Sequence, residues 1–269
     1  MRRHFGLILA TVVSLAGLGA ASAADMAVKA RPPIPVPVYN WTGCYIGGSV
    51  GGKFVSTNDR VFIPATALTA ASSLDLGRGD SETWIAGGQV GCNYQTGKWV
   101  WGIEGDAHAQ RWSRSQILVG PQPALFLAGD IYELRSDWQA SLRGRVGYAW
   151  DRTMLYATGG VAFTEVRAYS NWIAAGIFPA TIAYDTKTLV GGTIGVGVEH
   201  AVTDNFTVGV EGRYSYYGNH RFEAGTLTTF IVGAAATTAV TYRDVRVETG
   251  EVMLKANWKF SSAPLVAKY

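Results

Sequence analysis

Thr83-Trp84-Ile85-Ala86-Gly87-Gly88-Gln89-Val90-Gly91-Cys92-Asn93-Tyr94-Gln95 is followed by Thr96-Gly97-Lys98 and then by Trp99-Val100-Trp101-Gly102-Ile103-Glu104-Gly105-Asp106-Ala107-His108-Ala109-Gln110-Arg111. Both long segments alternate with period two. In the first, Trp84, Ala86, Gly88, Val90, Cys92 and Tyr94 share one side, against Gln89, Gly91, Asn93 and Gln95; in the second, Trp99, Trp101, Ile103, Gly105 and Ala107 stand against Glu104, Asp106, His108 and Gln110. Period two marks a strand with one apolar and one polar face. Thr96-Gly97 between the segments is tight-turn chemistry, so the unit reads as an antiparallel hairpin whose polar face carries charge.

The same alternation recurs in Thr42–Lys53, Glu133–Trp150, Thr153–Val166, Lys187–Ala201, Phe206–Tyr217 and Thr249–Phe260, which brings the count to eight strands. Tight turns fall at Thr96-Gly97, Asp151-Arg152 and Thr203-Asp204-Asn205, whereas the connections near 54–82, 113–132, 168–186 and 218–244 are long. Short turns at one end and long loops at the other are the pattern of an all-β, eight-stranded antiparallel transmembrane barrel, with periplasmic turns and four extracellular loops. Proline cannot donate to a ladder, and Pro64, Pro121, Pro123, Pro179 and Pro264 all fall outside the proposed strands. Ala224–Tyr242 is uncharged, but its threonines and two glycines make it a poor membrane helix.

Composition agrees. Of 269 residues, 16% are charged and 33 are glycine, a balance foreign to a typical soluble enzyme. The net charge of +3 falls to +1 once Arg2 and Arg3 are set aside, too nearly neutral for a nucleic-acid binder. Two cysteines exclude a disulfide-rich scaffold and a four-cysteine zinc site. Residues 1–23, with a basic start, an apolar Phe5–Leu18 and Ala21-Ser22-Ala23, read as a cleaved signal peptide. Residues 24–40, interrupted by Pro32, Pro33, Pro35 and Pro37, read as a periplasmic arm; 41–260 is the barrel and 261–269 a periplasmic tail.

Trp41, Trp99, Trp101, Trp150 and Trp258 gather at the short-turn ends, as an aromatic girdle does at a lipid boundary. With the leader, this sets the apolar face against lipid and turns the charges inward. Glu104, Asp106, Asp137, Glu199, Glu211 and Glu251 then meet Arg135, Arg143, Arg145, Arg213, Lys255 and Lys259. An eight-stranded barrel is just wide enough for its own side chains, and buried charges must pair. The lumen is therefore expected to be plugged.

Asn40-Trp41-Thr42-Gly43-Cys44-Tyr45-Ile46-Gly47-Gly48, Gly87–Gln95, Gly102–Asp106, Arg143-Gly144-Arg145-Val146-Gly147-Tyr148 and Lys255-Ala256-Asn257-Trp258-Lys259-Phe260 together resemble the small porin-like outer-membrane barrels of alphaproteobacteria. This surface-antigen family is related in fold to opacity proteins and to the barrel of outer membrane protein A. The resemblance implies an outer-membrane location, envelope stabilisation and surface exposure, with no catalytic site. Cys44 stands where an aromatic is common in the family, and nine residues follow Phe260, where many barrels end on the aromatic that the assembly machinery reads.

Other motifs carry little chemistry. Gly47-x4-Gly52-Lys53 imitates a phosphate loop, but Phe54 stands where Ser or Thr is required, so no cofactor is expected. His108, His200 and His220 lie at different heights with no serine and acid at a catalytic spacing, so neither a metal nor a catalytic site is expected, and His108 joins the polar plug. Cys44 and Cys92 share the lipid-facing parity on neighbouring strands; if they lie opposite each other, Gly52 lies opposite Trp84. A cross-strand disulfide and two separate thiols both satisfy this.

The long loops are oddly apolar, with Phe126, Trp172, Ile177, Phe178 and Phe230 prominent. They either form an interaction surface for a ligand or for self-association, or the strands run past the membrane and the loops bury these residues against one another. The expected partners are outer-membrane lipids and lipopolysaccharide, with assembly machinery and chaperones in transit. The reading is a non-enzymatic structural and surface-interaction barrel; a narrow porin for small solutes and a lipid-modifying barrel enzyme are the alternatives.

Overall fold

The computed structural model describes residues 39–66, 69–121, 125–173, 179–229 and 237–260; the leader, most of the arm and the tail lie outside them. Eight strands run in chain order: β1 Gly43–Ile63, β2 Ser72–Thr96, β3 Trp99–Ile117, β4 Ile131–Trp150, β5 Thr153–Trp172, β6 Thr181–Ala201, β7 Phe206–Thr229 and β8 Thr237–Lys259. Each pairs antiparallel with its neighbours, and β8 closes onto β1. The tight turns use left-handed residues, with φ of 61° at Gly97 and 56° at Asp151. Between β1 and β2, Cys44 lies opposite Cys92 and Gly52 opposite Trp84, and the two sulfurs are joined at 2.07 Å.

The strands are much longer than the alternation predicts. Most of 54–82, 168–186 and 218–244 is strand, as are the two ends of 113–132, and the connections shrink to 64–71, 118–130, 173–180 and 230–236. The reason is an exchange of polarity part-way along each strand. On β1 the outward Ile46, Val50 and Phe54 give way to outward Asn58 and Arg60, while the inward side chains change from Ser49 and Lys53 to Val55, Val61 and Ile63. On β8, outward Leu254 and Val252 give way to Glu248, Arg246 and Asp244, with Val247 and Val245 inside. The apolar outer stretch of β2 runs from Tyr94 to Trp84. Ten steps of ~3.4 Å at a ~40° tilt climb roughly 26 Å, the height of the apolar band on outer-membrane barrels.

Beyond that band the cylinder opens into two sheets. The ladder between β2 and β3 stops at Ile85 and Gln110, and that between β6 and β7 stops at Gly192 and Tyr216. The other six ladders continue close to the strand tips, as at Ile63 with Ser72 and Ile117 with Ile131. The upper half is therefore a sandwich of β7-β8-β1-β2 against β3-β4-β5-β6. Val55, Phe222, Val245 and Val247 of the first sheet pack with Trp112, Leu134, Val166 and Leu189 of the second. Left-handed glycines sit at the register shifts that bend the first sheet, Gly77 opposite the β1 irregularity and Gly218 and Gly225 in β7.

Side chains replace the missing ladder at both seams. Arg114 of β3 donates to the carbonyls of Leu76 (3.0 Å) and Gly77 (3.3 Å) on β2, and Thr83 Oγ1 donates to the carbonyl of Arg111 (2.8 Å). Across the other seam, Lys187 Nζ donates to the carbonyl of Arg221 (2.5 Å), and the Glu223 amide donates to Asp185 (2.8 Å). Unpaired edges otherwise invite foreign strands. Arg114→Ala removes the clasp of the β2–β3 seam. A loss of about 1.5 kcal/mol, the low end for a hydrogen bond to a charged group, is about a tenfold fall in protection. Hydrogen exchange should accelerate in 72–84 and 111–117 but not in 85–110; unchanged exchange above the band would mean that Arg114 does not hold the seam.

Candidate functional site in the barrel interior

The interior is layered along its axis, and the order can be read up β1, whose inward side chains are Tyr45, Ser49, Lys53, Val55, Thr57, Asp59, Val61 and Ile63. At the short-turn end Tyr39, Trp41, Val100, Met154 and Tyr156 form an apolar floor. Trp41 is 2% exposed and meets Tyr39 edge-on at 4.9 Å. It is thus a floor residue and not part of the girdle, because the chain enters the barrel end before β1 begins. Burial, and then the Glu199 carboxylate, push the Tyr39 phenol up to about 12. Above the floor lies a charged layer, then the apolar layer of Val55, Trp112 and Phe222, then Asp59 paired with Arg243, then a cap of Val61, Ile63, Leu118, Phe126 and Trp172.

Register builds the charged layer. Arg143 on β4 lies opposite Glu104 on one side and Gly160 on the other. A Cβ at Gly160 would come within 2.7 Å of the Arg143 Cα, so a glycine is needed for that close approach. From there Arg143 donates to Glu211 (2.5 Å), Glu104 (2.6 Å) and Asp106 (2.9 Å). Lys255 bridges Glu104 (2.6 Å) and Glu211 (3.0 Å), and Arg213 bridges Glu251 (2.8 Å) and Asp106 (3.1 Å). Arg145 donates to Glu199 and stacks 3.6 Å from the Tyr156 ring centroid. Neutral donors fill the remaining acceptor sites, with Tyr45 on Glu104 (2.6 Å), Ser141 on Asp106 (2.5 Å) and Tyr156 on Glu211 (2.9 Å).

Three lumen assignments change, those of Arg135, Asp137 and Lys259. Between Arg135 and Gln139 the register of β4 shifts, and the extra residue reverses which parity points inward. Ser136 and Gln139 are both buried, while Asp137 lies on the outer wall, 3.1 Å from Arg135 and 3.1 Å from Arg167. Lys259 reaches the Asn40 carbonyl at the barrel end. Three residues that sequence reasoning missed take their places. Lys53 is held by Glu251 (3.2 Å), Gln110 (2.6 Å) and Gln139, and Arg243 pairs with Asp59 while donating to the Glu133 carbonyl (3.1 Å). Lys53 carried an inward parity signal, but Asp59 and Arg243 lie in segments that read as loops. Below the cap, the buried set among the described residues is Lys53, Arg143, Arg145, Arg213, Arg243 and Lys255 against Asp59, Glu104, Asp106, Glu199, Glu211 and Glu251.

His108 Nε2 lies 2.7 Å from Ser49 Oγ, and its Nδ1 lies 3.1 Å from Asp106. The spacing of these residues in the sequence hides this. Ser49 and His108 are both paired to Gly87, one on each side, and the missing side chain lets them meet. Trp99, Trp101, Trp150 and Trp258 point outward, each about half exposed. Of the two readings of the apolar loop residues, Phe126 and Trp172 follow the second: they are buried together in the cap, because the longer strands bring the connections together over the mouth. Ile177, Phe178 and Phe230 lie outside the described residues. Asp130 accepts the amides of Leu127 and Ile173, both at 3.0 Å, and its burial pushes the carboxyl up.

Arg145→Ala should destabilise the fold by about 3–5 kcal/mol, because it strands the buried Glu199 carboxylate without its cation. Asp137→Ala, on the outer wall, should cost under about 1 kcal/mol. Urea midpoints compare them directly, and equal midpoints would contradict the inward and outward placements.

The family model described as outer membrane protein beta-barrel domain matches residues 11–243. The 31 kDa outer-membrane immunogenic protein of Brucella melitensis is 33% identical over 220 residues, which cover 79% of this chain and 87% of that protein. The 25 kDa outer-membrane immunogenic protein of the same organism is 30% identical over 232 residues, covering 84% and 91%. The 22 kDa outer membrane protein of Rhizobium leguminosarum is 30% identical over 231 residues, covering 83% and 89%. The apolar band of the barrel accordingly faces the lipid of the outer membrane, with the short turns in the periplasm and the two-sheet half outside the cell. The chain belongs to the outer membrane β-barrel family and is an outer-membrane protein similar to the outer-membrane immunogenic proteins of Brucella.

Proposed function

We propose that this protein is a non-enzymatic, non-conducting barrel that anchors a rigid two-sheet head at the cell surface, with an envelope-structural and surface-interaction role. The observation that carries this reading is the layering of the interior. A hydrated ion would have to cross an apolar floor, a charged layer without net charge and two further apolar layers, and each desolvation is expensive. The charged layer alone could admit water; the apolar layers above and below it oppose a continuous column.

One arrangement favours an enzyme, the contact of Ser49 with His108 and of His108 with Asp106. Hydrolysis by such a set needs a serine open to an acyl carbon and an acid that serves the imidazole. Ser49 Oγ also donates to Gln89 (2.9 Å), and Asp106 is shared among Arg143, Arg213 and Ser141. All three residues are buried between packed layers. The set therefore behaves as part of the polar filling.

In planar bilayers the protein should show no steady single-channel current, and Arg213→Ala should show none either, because the apolar floor and the two apolar layers above the charges remain. A stable conductance in the parent would overturn the sealed-lumen reading and restore the narrow porin.

A further inference from the structure

Charges on the outer wall begin where the lipid band ends, and their sign changes around the barrel. On β8, β1 and β2 the first outward polar side chains above the band are Glu248, Ser56 and Glu82, followed along each strand by Arg246, Asn58 and Asp80. That arc is acidic. On β3, β4 and β5, Arg111 follows Ala109, Asp137 and Arg135 follow Trp138, and Glu165 and Arg167 follow Phe163, so three guanidinium groups stand against two carboxylates. The next outward charges are Arg78, paired with Asp80 on the first arc, and Glu133, ~7 Å along β4 from Arg135 and opposite Tyr169 on the second.

The basic arc is built against its own electrostatics. Arg135 and Arg167 are directly opposite across the β4–β5 ladder, where like charges destabilise a sheet. Asp137 bridges them, 3.1 Å from Arg135 Nε and 3.1 Å from Arg167 Nη1, and Glu165 lies 2.7 Å from Arg167 Nη2. Among the described residues, both Nη groups of Arg135 and the whole guanidinium of Arg111 carry no hydrogen bond or ion pair. The side chains of Arg135 and Arg167 are 44% and 50% exposed, so they can be reached from outside. Guanidinium forks with spare donors suit phosphate, which accepts paired N–H bonds.

We propose that Arg111, Arg135 and Arg167 bind the phosphate of a phosphorylated glycolipid of the outer leaflet, the class to which lipopolysaccharide belongs. Asp137 holds the Arg135–Arg167 pair together in the free protein, and the phosphate binds the donors that Asp137 leaves open. Arg111 supplies the third charge. A lipid is the source because the arc stands at the edge of the apolar band, and directly beneath it Ala109, Trp138 and Phe163 face outward, where the acyl chains lie. The acidic arc of β8-β1-β2 repels the same phosphate, so the lipid is held on one side of the barrel. The sealed-lumen reading does not depend on this site.

The test takes the protein purified from outer membranes, stripped of lipid in a zwitterionic detergent, and titrates it with bisphosphorylated lipid A under native mass spectrometry. A chelator is present, so that no divalent cation links phosphate to the carboxylates. The lipid should bind, and the same lipid without its phosphates should bind about tenfold more weakly, the loss of one hydrogen bond to a charged group. Arg135→Gln combined with Arg167→Gln should lower the affinity for the phosphorylated lipid to that level and leave the stripped lipid unaffected. Arg246→Gln, on the acidic arc, should alter neither. Inorganic phosphate should not displace the lipid, because it has no chains for the apolar wall. Heat-modifiable migration verifies folding; if the double variant fails to fold, Arg167→Gln alone reads the same pair. The proposal is overturned if the stripped lipid binds as tightly, if the arginine variants bind as the parent does, if Arg246→Gln loses as much, or if inorganic phosphate displaces the lipid.

Discussion

Every strand of this barrel passes from lipid into water without a break, and that passage exchanges the faces that must be apolar. Within the band the outer wall contacts hydrocarbon and the interior collects the polar groups. Above it the outer wall is wet and the interior must supply its own hydrophobic core. Period-two geometry is conserved across the boundary, so the exchange is carried by sequence alone. In β8, Val245 and Val247 face in and Val252 and Leu254 face out, separated by Glu248-Thr249-Gly250-Glu251. The two-sheet head follows from this. Once the interior is a hydrophobic core, two facing sheets bury it as well as a ring does, and the β2–β3 and β6–β7 ladders can end.

Width is the second constraint. Eight strands leave room for side chains and little else, so each large inward group needs a small neighbour. The glycine pairs 47-48, 87-88, 159-160 and 191-192 each place one member inside and one outside. The inner members admit Arg143 beside Gly160 and the Ser49–His108 contact beside Gly87. The outer members, Gly48, Gly88, Gly159 and Gly192, cannot be explained by the lumen.

What could be read from the sequence divides at the membrane boundary. Inside the band the alternation is pure, and strand number, turn positions, outward tryptophans and most of the lumen charges follow from parity. Outside it the same parity carries the opposite polarity, so a search for continued outward apolar residues stops at Phe54, Trp84 and Tyr216 and reads the remainder as loop. The error at Asp137 has a different origin. A bulge adds one residue without a glycine or proline to announce it, and parity counted from Arg143 upward then fails. Trp41 was misplaced because its position at a strand end fits a girdle equally well, and only the course of the chain at the barrel floor distinguishes the two. The Ser49–His108–Asp106 contact depends on a register across three strands, which no local spacing encodes.

The charged layer is costly as a source of stability, since an apolar filling of the same volume is often at least as favourable as buried ion pairs. Its value lies in the alternatives it penalises. A slip of one residue in a β-ladder turns every side chain to the other face. With an apolar lumen and an apolar wall, such a slip would exchange one hydrophobic surface for another at little cost. Here it would carry Arg143, Arg145, Arg213 and Lys255 into hydrocarbon, at about 2–4 kcal/mol for each near the midplane. It would also turn Trp101, Leu142 and Ile194 into a lumen without space for them. The polar interior thus specifies register through the lipid outside, and the paired arrangement keeps that specification from destabilising the correct fold.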